Sequence, residues 1–146
     1  MGQKFRLLYT FKAEVEKTSP GSVVEIDYHK EEYIVEGKRK EKNCFRRAFV
    51  CFKACSNGFL TGCRPYLAVD ATALNGRWKG QLVAACAVDG HNWHFPVAFG
   101  VLEVESEENW TWFFGEIARR YRVPTRIGYT HRCLQGFGDC SRSRVS

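Results

Sequence analysis

The chain has 146 residues, is 45% hydrophobic and 14% aromatic, and contains only 4 prolines; such a composition fills a core and excludes a disordered tail. Its 22 Lys+Arg against 16 Asp+Glu leave a net charge of +6, a basic excess compatible with nucleic acid or another anionic partner. No apolar run approaches the roughly 20 residues of a membrane helix, and Met1-Gly2-Gln3-Lys4-Phe5-Arg6 carries neither a secretory apolar region nor a myristoylation motif, so an intracellular protein with no membrane partner is expected.

In chain order, Phe5, Leu8, Phe11 and Val15 recur near helical spacing, and Thr18-Ser19-Pro20-Gly21 stops that segment. Val23–Tyr28 and Tyr33–Val35 read as two short strands around a polar turn, and Lys38-Arg39-Lys40-Glu41-Lys42 as a solvated connector. Asn43 is placed to cap a helix from Cys44 to Cys55, with Phe45, Ala48, Phe49, Phe52 and Cys55 on one face and Asn57-Gly58 ending it. Pro65–Asp70 then reads as a short strand, apolar until its terminal carboxylate. Gln81–Val88, rich in small residues, reads as a strand buried on both faces. After the Asp89-Gly90 turn, His94–Val104 completes an antiparallel three-strand meander. Ser106 caps a helix whose buried stripe is Trp110, Phe113, Phe114, Ile117 and Tyr121, with Pro124 beyond its end.

Charge is unevenly distributed. Residues 1–63 hold 12 basic and 8 acidic side chains, residues 64–115 hold 3 and 6, and residues 116–146 hold 7 and 2. The seven cysteines contain no Cys-x-x-Cys pair and read as reduced thiols. The nearest approach to a metal cluster, Cys86 with His91 and His94, lacks a fourth ligand and has its histidines flanking a turn, which argues against zinc there.

Asp70 is the residue singled out for chemistry. It follows an otherwise apolar strand, where an ionised side chain requires water, a partner or a metal. A lone Asp before Ala71-Thr72 is more often a turn or cap residue, and a two-metal centre needs several converging carboxylates. Glu103, Glu105, Glu107 and Glu108 are close in sequence, but they read as a solvated strand end and a helix N-terminus.

Four ordered segments resemble the catalytic domain of plant Mutator-like element (MULE) transposases. They are Gly62-Cys63-Arg64-Pro65-Tyr66-Leu67-Ala68-Val69-Asp70-Ala71-Thr72-Ala73-Leu74-Asn75-Gly76, Lys79–Gly90, Phe95–Gly100, and Glu105 followed by Trp110-Thr111-Trp112-Phe113-Phe114. Upstream, Phe45-Arg46-Arg47-Ala48-Phe49 and Phe59-Leu60-Thr61-Gly62 fit the segment preceding that domain. The resemblance implies an α/β chain with a partial ribonuclease-H-like fold, a three-strand antiparallel meander followed by a helix, preceded by small α+β elements. It divides the chain into 1–63, preceding the catalytic domain; 64–124, the front of that domain; and 125–146, an aberrant tail.

Intact family members cut and join DNA with three acidic residues holding Mg²⁺ or Mn²⁺, and they imply a nuclear location. Asp70 matches the first of those acids as catalytic residue and metal ligand. The second should end a strand after the helix, yet Thr125–Ser146 contains a single acid, Asp139, between Gly138 and Cys140. Read one nucleotide later, allowed codons from Ile127 onward give Leu-Gly-Thr-His-Thr-Asp, the family-like continuation. A frameshift or splice artefact near 123–127 is therefore expected, with catalysis incomplete and no metal held stably. The alternative is a non-enzymatic nucleic-acid or protein-binding module, with Arg46, Arg47, Arg119, Arg120 and Arg122 on phosphates.

Overall fold

The computed structural model describes residues 3–121. Its elements are α1 (Gln3–Thr18), β1 (Val23–Val35), β2 (Lys38–Cys51), α2 (Lys53–Gly62), β3 (Ala68–Ala73), β4 (Gln81–Val88), β5 (His94–Leu102) and α3 (Glu107–Tyr121). The five strands form one antiparallel sheet in the order β1-β2-β5-β4-β3. This mixed α/β arrangement is broadly consistent with a ribonuclease-H-like fold. Arg122, Pro124 and the tail from 125 lie outside the described residues.

The expected meander is present as β3-β4-β5, but it does not stand alone. β2 pairs with β5 (Arg47↔Leu102 to Val50↔Phe99), and β1 pairs with β2. The N-terminal segment thus supplies two strands of the same sheet, and the edge of β5 is covered rather than open.

Three of the sequence expectations are corrected here. Cys44–Cys51 is strand, and the helix begins at Lys53 with Asn57 and Gly58 inside it. Phe45, Ala48, Phe49 and Phe52 fit a helical stripe, yet β1 and β5 both offer hydrogen-bonding edges to this segment, so tertiary pairing overrides local periodicity. Residues 23–35 likewise form one strand, turning at Glu36 (φ 51°) and Gly37 (φ 73°), and 38–42 is its exposed partner. The register shifts after Asp27↔Arg47 to Tyr28↔Phe45. Arg46 is therefore the extra residue of a bulge.

Adjacent cross-strand rows point to opposite faces. One row runs Ala71-Val83-Gly100-Phe49 and carries the core. α3 closes it with Phe113, fully buried and edge-on to Phe49 at 5.6 Å, together with Ile117 and Tyr121. The neighbouring row, Asp70-Ala84-Phe99-Val50, faces the other way. β4 is accordingly buried on the α3 face alone; Leu82, on the other face, is 37% exposed.

Helices α1 and α3 follow their sequence signals. Ser106 caps α3, its Oγ accepting the Asn109 amide at 3.2 Å, with Glu107 and Glu108 in the first turn where the helix dipole favours anions. In the α3 stripe Phe113, Ile117 and Tyr121 are buried, with Trp110 and Phe114 half-buried beside them. Val15 is the buried anchor of α1, which stacks Tyr9 on Tyr28 of β1 at 5.8 Å; Phe11 is left 44% exposed.

Candidate functional site

Asp70 lies third in β3, opposite Ala84, and the strand continues to Ala73, so the carboxylate does not end the strand as its sequence pattern suggested. Val69 and Ala71 turn into the core, which leaves Asp70 exposed on the other face. Its Oδ1 accepts the Ala71 amide at 2.9 Å. A two-metal centre needs further ligands in reach of the same ion. Among the described residues, no group of three His, Cys, Asp or Glu donors in mutual reach includes Asp70. The described residues around it therefore do not by themselves make a two-metal centre.

Two of the four glutamates considered with it, and Asp89, are committed elsewhere. Glu103 Oε1 accepts from Arg46 Nε at 3.2 Å, and Glu108 Oε2 from Arg46 Nη2 at 2.6 Å. Asp89, after β4, caps its own turn by accepting the His91 and Trp93 amides at 2.8 and 2.9 Å. Those amide bonds, Trp93's the larger, hold its carboxyl below the ordinary range.

The predicted phosphate-binding arginines divide into two groups. Arg47 is buried: Nε donates to Asp27 Oδ2 at 2.8 Å, Nη1 to Asn109 Oδ1 at 3.1 Å, and its guanidinium lies 4.7 Å from the centre of the Trp112 ring. It fastens β1 and β2 to the first turn of α3 and turns away from solvent, which argues against the expected phosphate contact. Arg46, as above, is ion-paired twice. At the other end of α3, Arg120 Nη2 donates to the Gly21 carbonyl at 2.7 Å, and Arg119, 74% exposed, pairs with buried Glu116 at 3.0 Å. Asn109 and Arg120 are about 16 Å apart along the helix, so the arginines do not form one patch. Arg122 lies outside the described residues.

A donor cluster appears that no sequence signal marked. His29, Glu31 and Cys44 place one ligand atom each within 4.8 Å of one another, a potential metal-chelating triad. His29 and Cys44 are direct cross-strand partners, and Glu31 is two residues along the same face. The helical spacing of residues 44–55 hides this pairing in the sequence, and the hairpin turn at Glu36-Gly37 creates it. No such group forms at Cys86, His91 and His94 among the described residues.

The triad does not belong with Asp70. β1 and β3 are opposite edges of the sheet, four strand spacings or about 19 Å apart. His29 also shares a face with Asp27, the α3 side, whereas Asp70 faces the other way.

Residues 66–130 match the MULE transposase domain. The MULE match takes in β3, β4, β5 and α3, and it includes Asp70. No curated protein and no solved structure matches the chain. Among the described residues, no helix is long and apolar enough to cross a membrane.

Proposed function

We propose that residues 64–124 are the front part of a Mutator-like DDE transposase catalytic domain, that 1–63 lead into it, and that the chain is catalytically incomplete. One observation carries this reading: the MULE transposase match over 66–130 contains the meander on which Asp70 stands exposed. Asp70 is then the first acid of a DDE set, one of three carboxylates that together would hold Mg²⁺ or Mn²⁺ against DNA. In this reading DNA is the partner and the nucleus the place of action. The tail at 125–146 stands where the second acid should be.

The test is cleavage of supercoiled plasmid by the purified full chain with Mg²⁺ or Mn²⁺. No nicking is expected. Nicking that disappears in Asp70→Asn would overturn the incompleteness. Coding DNA whose shifted frame lacks Asp after Thr-His-Thr would refute the frameshift.

A further inference from the structure

We infer that His29, Glu31 and Cys44 form a binding site for a thiophilic divalent cation of the zinc class, separate from any Mg²⁺ chemistry at Asp70. The donor set supports this choice of metal. A neutral imidazole, a carboxylate and a thiolate together suit Zn²⁺ or Co²⁺, whereas Mg²⁺ and Mn²⁺ prefer oxygen-only sites.

The spacing supports it as well. Metal–ligand bonds of about 2.0–2.3 Å at tetrahedral angles separate donor atoms by about 3.3–3.6 Å. Glu31 Oε1 lies 3.2 Å from His29 Nε2, and Oε2 lies 3.0 Å from Cys44 Sγ. One donor atom from each of the three residues lies within 4.8 Å of the others, so side-chain rotation brings the triad to that spacing around an ion, and the fourth position is left to water. The residues are reachable: Glu31 is exposed, and His29 and Cys44 are half-buried.

A carboxylate stands behind the imidazole, short of hydrogen-bond distance. With Nε2 facing Glu31, His29 Nδ1 is directed at Glu103 Oε2, 3.9 Å away, and Arg46 holds that carboxylate at 3.2 Å. A carboxylate behind a histidine is the usual outer support of a ligating imidazole, fixing its tautomer and raising its basicity. Binding displaces the Cys44 thiol proton to solvent and replaces the S–H···O bond to Glu31 with a sulfur–metal bond. The ion would tie β1 to β2 beyond the Arg46 bulge, where the hairpin is otherwise exposed.

The experiment titrates the full chain, kept reduced by a phosphine, with Co²⁺. One equivalent should produce a thiolate-to-cobalt charge-transfer band that Zn²⁺ abolishes by displacement. Cys44→Ser should remove the band and His29→Ala should weaken or remove it, while Cys55→Ser and Cys86→Ser leave it intact. Glu103→Gln should weaken Co²⁺ binding about 10–100-fold. Absence of a stoichiometric band, or its persistence in Cys44→Ser, overturns the proposal. If Cys44→Ser fails to give the parent circular dichroism spectrum, Glu31→Gln decides, and unchanged Co²⁺ affinity there overturns the proposal. Asp70→Asn should not alter the titration, which keeps this outcome independent of the transposase reading.

Discussion

Gly100→Ala tests how α3 is seated on the sheet. Gly100 occupies β5 between Phe49 of β2 and Val83 of β4, so its backbone is held from both sides. A Cβ at this position would lie 2.6 and 2.7 Å from Cε2 and Cδ2 of Phe113, far inside contact distance, and 3.4 Å from the Ala48 carbonyl oxygen. The ring has little room to retreat, because Phe113 is fully buried and packed edge-on to Phe49, Trp110 and Phe114. Inserting a methyl into such packing costs about 1–3 kcal/mol. Restricting the unfolded chain returns about 0.4–1 kcal/mol, leaving a net loss of about 1.5 kcal/mol. With a urea m-value of about 1.5 kcal/mol per molar, the unfolding midpoint should fall by about 1 M. Adding Phe113→Leu removes the ring edge that the methyl meets, so the double variant should recover about 0.5 kcal/mol or more relative to additivity. An unchanged or raised midpoint in Gly100→Ala, or strict additivity with Phe113→Leu, would refute the close docking of α3 on β5.

The remaining predictions concern charge and hydrogen bonding. Arg47→Met should lower stability in urea unfolding by about 2–4 kcal/mol; removing one partner of a buried pair costs the most, and here the loss is moderated because the Asp27 side chain is 37% exposed. Glu116 is buried, which raises its carboxyl above the ordinary range despite Arg119. The folded state then binds that proton more tightly than the unfolded state. The stability this contributes is full below the unfolded carboxyl's value of about 4.3 and is lost as pH rises through the higher folded value. Glu116→Gln should therefore flatten the pH dependence of Tm across that window, and a wild-type Tm that gains as much on raising pH as the variant's would contradict this. Tyr121→Phe should cost about 1 kcal/mol in urea unfolding, through loss of the buried hydroxyl contacts to Cys51 Sγ at 3.1 Å and the Val97 carbonyl at 3.4 Å. Asp70→Asn, on an exposed side chain, should shift the urea midpoint by no more than about 0.5 kcal/mol equivalent, separating any functional effect from misfolding.

Elements whose signals are local are legible in the chain alone. Ser106 followed by two glutamates and the Trp110–Tyr121 stripe specify α3, because a cap, a dipole and a 3.6-residue period all lie within one segment. The turns after Ala73 and Val88, with short apolar runs on either side, specify the meander. The residues around Asp70 were also enough to single it out and to carry the resemblance that the domain match repeats over residues 66–130. Tertiary structure alone decided the fate of residues 44–51, since Phe45, Ala48, Phe49 and Phe52 satisfy a helical period and a strand equally well. The vacant edges of β1 and β5 broke that tie. The same pairing buried Arg47, which sequence could only read as a surface cation, and brought together His29, Glu31 and Cys44. Up to fifteen positions separate those three in the chain. Strand register, set by hydrogen bonds and burial across the whole sheet, brought them within reach of one ion.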